Sequence, residues 1–96
     1  MTTKQRSYLK SLAMKMDASL SLGKSSLTPE FTAAVEEALD ARELVKINVL
    51  KNCTDDLNVI AQILSERTNS EIVQIIGRKI VLYKEGKDKK KKIELP

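Results

Sequence analysis

A chain of 96 residues, 42% of them apolar, encloses one hydrophobic core but not two. Its 17 basic and 13 acidic side chains give a net charge of +4, with no histidine and a single cysteine. No stretch approaches the ~18–20 uninterrupted apolar residues of a membrane span, and an intrachain disulfide and a Cys/His zinc site are both excluded.

The first residues, Met-Thr-Thr-Lys-Gln-Arg-Ser, lead into no signal-peptide core, so a reducing cytoplasm is the expected location. Thr3 is the expected cap of a first helix that ends near Ala13 or Met14. Tyr8, Leu9, Leu12, Ala13 and Met16 form its apolar side, and Lys4, Arg6, Lys10 and Lys15 lie mostly elsewhere. Scattered lysines usually form a solvated face; here their excess over acids also raises a nucleic-acid option. Ala18-Ser19-Leu20-Ser21-Leu22 alternates with period two and reads as a short strand.

That strand delivers the chain to Gly23-Lys24-Ser25-Ser26-Leu27-Thr28, a small polar loop that enters a second helix. Thr28 suits the N-cap, Pro29 the first helical position, and Glu30 the positive end of the helix dipole. Phe31, Ala34, Val35, Ala38 and Leu39 then trace a one-sided stripe. Gly23 allows close backbone approach, Lys24 adds a charge, and Ser25, Ser26 and Thr28 add hydroxyls, which together make a phosphate cradle. A plain capped turn is the competing reading. An NTP-binding P-loop is rejected, because the glycine it requires five residues before Gly23 is Ala18.

Glu43 to Leu50 is the clearest strand, with Val45, Ile47 and Val49 on one face and Leu44, Lys46, Asn48 and Leu50 on the other. Thr54, followed by Asp55 and Asp56, opens a third helix whose core side is Leu57, Ile60, Ala61 and Leu64, widened by Ile63. Cys53, just before it, reads as a packing residue, since no histidine exists to activate it. Glu71–Ile76 and Lys79–Lys84 read as two strands joined by Gly77-Arg78, a hairpin. Ile80 and Leu82 face the core; Lys79, Val81 and Tyr83 face the other way. Tyr83 is expected to pack under a neighbouring helix, with base stacking as the alternative.

The expected fold is therefore α/β, a compact α-β-α-β-α-β-β domain with a four-stranded mixed sheet. It occupies residues 1–86, and residues 87–96 form a basic C-terminal tail that is either solvated or an arm following phosphates. Charge is segregated along the chain: +4 over residues 1–28, −4 over 29–45, −1 over 46–76 and +5 over 77–96. A modest net charge thus conceals a concentrated basic face. No lipidation site or amphipathic anchor accompanies the lysines, which argues against a membrane partner. No carboxylate cluster, nucleophile or metal-ligand set has catalytic spacing, so neither an enzyme nor a cofactor is expected.

With this pattern assembled, the chain resembles the bacterial YhbY-type CRM domain (chloroplast RNA splicing and ribosome maturation). The likeness lies in Leu9-Lys10-Ser11-Leu12-Ala13, the Leu22-to-Thr28 loop, Glu43-Leu44-Val45-Lys46, the run from Val73 to Lys84, and the terminal Ile93-Glu94-Leu95-Pro96. The resemblance implies a KH-like Gly-x-x-Gly loop, RNA binding, and association of stand-alone bacterial members with precursors of the large (50S) ribosomal subunit. By position that loop falls on Gly23-Lys24-Ser25-Ser26, with Ser26 in place of the second glycine. If the position needs φ > 0, serine is disfavoured there by about 1 kcal/mol.

The function these observations lead to is a non-catalytic grip on structured ribosomal RNA through phosphate and shape contacts, by a monomer with no small-molecule substrate. Gly23, Lys24, Ser25, Ser26 and Thr28 form the expected clamp, and Lys4, Arg6, Lys10, Arg78, Lys79 and Lys84 extend its electrostatic footprint. A low aromatic content of 3% argues against a base-stacking platform. The rival reading is an adaptor that docks Glu36, Glu37 and Asp40 of the second helix on a ribosomal protein or assembly factor.

Overall fold

The computed structural model describes residues 1–86 and 93–96. The lysine run at 87–92, which includes most of the expected basic arm, lies outside the described residues. The elements are α1 (Thr3–Met14), β1 (Leu20–Leu22), α2 (Pro29–Arg42), β2 (Leu44–Val49), α3 (Leu57–Thr68), β3 (Glu71–Ile76) and β4 (Lys79–Tyr83), in the order expected.

Two helix starts and four strand ends differ from the expected bounds. The cap of α1 is Thr2, not Thr3: the Thr2 hydroxyl accepts from Gln5 N–H while Gln5 Oε1 accepts from Thr2 N–H, a reciprocal capping box. The cap of α3 is Asp56, not Thr54, with its carboxylate accepting from Asn58 N–H at 2.7 Å. The first strand begins at Leu20 instead of Ala18, β2 spans 44–49 instead of 43–50, and β4 stops at Tyr83. Glu43 is excluded from β2 because it ends α2 in the left-handed region, at φ 66°.

The sheet order is β1-β2-β4-β3, with β1 parallel to β2 and the other pairs antiparallel. Both faces are covered, so alternate residues of the same strand feed two cores. Val45, Ile47, Val49, Ile80 and Leu82 pack with Leu22, Val35, Leu39, Cys53, Ile60, Ala61 and Leu64 under α2 and α3. Leu44, Val81 and Tyr83 join Leu9, Ala13 and Val73 on the α1 side, closed over by Leu12, Met16, Ile93 and Leu95. Tyr83 is thus a core residue at 5% exposure, not a stacking platform. Cys53 packs in the first of these cores, as expected.

A bulge at Val73 interrupts the pairing of β3 with β4 and puts Ile72 and Ile75, three residues apart, against the same core. The guanidinium of Arg6 donates to the carbonyls of both Ile72 and Val73 there. Lys46, from the centre of β2, donates to the carbonyls of Ala13 and Met16, each at 3.0 Å, and so closes the end of α1. Glu43 is only 1% exposed, and its carboxylate accepts from the backbone N–H of Gly86 and, at 2.8 Å, of Ile93. The last residues are tied back onto the domain: Gln5 Nε2 also donates to the Pro96 carbonyl at 3.3 Å.

Candidate nucleic-acid interface

Because β1 and β2 run in parallel and β4 opposes β2, three connections leave the sheet at one end. They are the β1–α2 loop, the β2–α3 loop and the β3–β4 hairpin. Each makes a tight turn with a cation at its centre. Ser26 N–H donates to the Gly23 carbonyl at 3.0 Å, placing Lys24 and Ser25 at the tip of the first turn. Cys53 N–H donates to the Leu50 carbonyl at 3.0 Å, placing Lys51 and Asn52 at the tip of the second. Ile76 pairs with Lys79 across Gly77-Arg78, a two-residue hairpin. Gly77 has φ +58° and Arg78 does not share the left-handed region, as in a hairpin turn whose first central residue is glycine.

The first turn enters α2 as its residue types dictate. Thr28 Oγ1 accepts from Phe31 N–H at 3.1 Å, and Pro29 begins the helix. Ser26, at the position where the resemblance implies a second glycine, has φ 53°. The position does require the left-handed backbone, and the serine holds it despite the steric cost. Its hydroxyl lies 3.8 Å from the Cys53 thiol, which links the first turn to the second. Gly23, by contrast, is not in the left-handed region, and a Cβ there would meet Asn52 and Leu50 side chains only at ordinary contact distances of 3.6 Å and 3.7 Å.

Of the cations expected to form the footprint, Lys24 and Lys79 come to this end, and Lys24 is exposed. Arg78 also lies here, but its guanidinium is turned inward. It donates to the carbonyls of Val49 at 2.9 Å, Leu50 at 2.8 Å and Cys53 at 3.0 Å. Lys84 is at the opposite end of β4, where it pairs with Asp40 at 3.8 Å. Lys4, Arg6 and Lys10 belong to α1, across the other face of the sheet, and Arg6 is engaged with the β3 bulge. The expected footprint therefore divides into a compact group and a dispersed remainder. Lys51 and Asn52, both exposed, were not in the expected set. Their proximity to Gly23 follows from the pairing of Leu22 with Val49, a contact between strands 27 residues apart.

A concavity lies at the opposite end of the sheet, lined by Met1, Gln5, Asn69, Tyr83 and the C-terminal Ile93, Glu94 and Leu95. Its charged lining is Glu71, Glu85 and Glu94 against Lys84 and the Met1 amino terminus, a balance that does not favour a polyanion. Among the described residues no group of acidic or thiol side chains is placed to hold a metal ion. Among the described residues no helix is long and apolar enough to cross a membrane.

The comparison with known proteins agrees with this architecture. The chain is 43% identical over 96 residues to Probable RNA-binding protein YqeI of Bacillus subtilis, covering 100% of this chain and 99% of that one. It is 33% identical over 96 residues to an RNA-binding protein of Haemophilus influenzae, covering 95% of the latter. The solution structure of the hypothetical protein SAV1595 from Staphylococcus aureus superimposes with a TM-score of 0.82 at 44% identity, over 100% of this chain and 99% of that one. The family model for the CRS1 / YhbY (CRM) domain matches residues 1–84, from the capping box of α1 to the end of the hairpin that carries Arg78, and the chain belongs to that family.

Proposed function

We propose that the protein binds structured RNA through the end of the sheet where the three turns meet. The relatives named above as RNA-binding proteins support the class of ligand. The observation that carries the reading is the convergence of Lys24 and Lys79 with the hydroxyl-bearing Ser25, Ser26 and Thr28 at that end. A site built from ammonium groups, hydroxyls and turn backbone N–H groups matches phosphate and ribose, and Tyr83, buried in the core, leaves no aromatic strand platform. Recognition is then by backbone and shape. Lys4 and Lys10 supply an outer footprint, whereas Arg6 and Arg78 act by holding the fold.

In this reading the RNA is ribosomal and the protein acts in the assembly of the large (50S) subunit, as the family resemblance implies; it does so as a cytoplasmic monomer, as the sequence reading expects. Sedimentation of tagged protein from a cell lysate tests this. Under this reading the protein migrates with a large-subunit precursor at low salt and is released by high salt or by Lys24→Glu. Migration that survives both, and is lost in the Glu36→Lys, Glu37→Lys double variant, would instead indicate docking on a protein through α2. Remaining at the top of the gradient throughout would remove the ribosomal assignment.

A further inference from the structure

The β2–α3 turn is held by hydrogen bonds on both sides of its tip. Cys53 N–H closes it on the Leu50 carbonyl, and Leu50 N–H donates to the Leu22 carbonyl at 2.8 Å, so the turn starts in register with the end of β1. Arg78 then fixes the carbonyls that flank the tip, those of Val49 and Leu50 before it and of Cys53 after it. The only residues between these fixed points are Lys51 and Asn52, both exposed. Beside them stands the Gly23–Ser26 turn, of the same hydrogen-bonded length and with the same order of a lysine followed by a neutral polar residue at its tip. The carboxamide oxygen of Asn52 lies 3.6 Å from where a Gly23 Cβ would be.

We infer that Lys51 and Asn52 form the second wall of the RNA site. Lys51 neutralises a phosphate next to the one held at Lys24, and Asn52 offers its carboxamide donor and acceptor to the same strand as it passes Gly23. Arg78 is the positioning residue that holds this wall in place and does not touch RNA. The inference rests on the RNA-binding reading and adds to it a side that the Gly23–Thr28 loop alone does not provide. A fixed turn loses little conformational freedom when it binds, so two such turns side by side make a pre-organised groove. The ammonium acts through counterion release and the amide through hydrogen bonds, which gives the two residues different signatures in salt.

The test is fluorescence anisotropy with the tightest-binding stem–loop from a tiled set of large-subunit ribosomal RNA fragments, titrated across salt concentrations. Lys51→Ala is expected to weaken binding about 3- to 10-fold at low salt and to flatten the salt slope by roughly 0.7–0.9, the contribution of one phosphate. Asn52→Ala is expected to weaken binding several-fold with the slope unchanged. Lys15→Ala, at the exposed C-cap of the first helix, serves as the charge control and is expected to change neither. If Lys24→Ala weakens binding while Lys51→Ala and Asn52→Ala do not, the second wall is wrong and the RNA reading stands. If Lys15→Ala matches Lys51→Ala, the effect is net charge and the inference is likewise overturned. If no fragment binds the unaltered protein, the RNA reading fails and the inference fails with it.

Discussion

Arg78 and Val49 bond to each other twice. Val49 N–H donates to the Arg78 carbonyl at 2.7 Å, and Arg78 Nε returns a bond to the Val49 carbonyl at 2.9 Å. The backbone bond continues the β2–β4 ladder past Asn48 and Lys79, and the side-chain bond turns the end of that ladder into an anchor for the next loop. A guanidinium suits this task because its donors are fixed in one plane, whereas an ammonium satisfies the same carbonyls only as a point charge. Arg78→Ala is accordingly expected to cost about 2 kcal/mol of stability in urea denaturation, within the range for charged hydrogen bonds. Arg78→Lys is expected to recover less than half of that loss. A loss below roughly 0.5 kcal/mol for Arg78→Ala would mean that the loop is not held by this side chain.

A substitution at Gly23 tests binding apart from folding. Its backbone lies outside the left-handed region, and a methyl group would sit in ordinary contact with Asn52 and Leu50. Gly23→Ala is therefore expected to melt within a few degrees of the unaltered protein, a shift that corresponds to about 0.5 kcal/mol. Its RNA affinity is expected to fall several-fold, because the added methyl occupies space that a phosphate backbone needs. Unchanged affinity in a folded Gly23→Ala variant would place the RNA elsewhere.

Ser26 behaves in the opposite way. At φ 53° it pays a conformational cost that glycine does not. Ser26→Gly is expected to raise stability by roughly 0.5–1 kcal/mol, and Ser26→Val to lower it by more than 1 kcal/mol. Thermal denaturation of the pair reads both signs. A Ser26→Gly variant that is less stable would show that the hydroxyl near Cys53 contributes more than the backbone strain removes.

Glu43 couples the end of α2 to the C-terminus. Glu43→Ala leaves the half-buried amides of Gly86 and Ile93 without this acceptor, at an expected cost of about 1–3 kcal/mol. Ile93 and Leu95 lose their anchor in the α1-side core, so amide exchange at residues 93–96 is expected to quicken more than exchange in α3. Gly86→Ala provides a second test, since its Cβ would come within 2.6 Å of Glu43 Oε2. Uniform destabilisation, with no added exchange at the C-terminus, would contradict this coupling.

The order of elements was legible because each carries its own local signal. Thr28-Pro29-Glu30 announces α2, and Gly77-Arg78 between two β-rich runs announces the hairpin. The misplaced starts of α1 and α3 were choices between capping residues one and two positions apart. The Thr2 solution was signalled by Gln5 three positions later, the spacing of a capping box. The roles of Arg6, Lys46 and Arg78 were not legible: all three donate to backbone carbonyls far away in the chain, and a carbonyl has no identity in the sequence. Counted as charges, they resembled free surface cations. Lys51 and Asn52 were missed for a related reason, since their place beside Gly23 depends on the β1–β2 register and on no local motif. The bulge at Val73 is likewise set by pairing with β4 and by the Arg6 guanidinium.

The most direct measurement is the salt dependence of RNA binding for the unaltered protein and for Lys24→Glu, on the same stem–loop. Phosphate recognition predicts that log affinity falls linearly with log salt, with a slope of roughly −0.7 to −0.9 for each phosphate contacted. Lys24→Glu is predicted to weaken binding at least ~10-fold at low salt and to flatten that slope by about one contact or more. Affinity that ignores salt, or that is undiminished by Lys24→Glu, would contradict an RNA site at the convergence of the three turns.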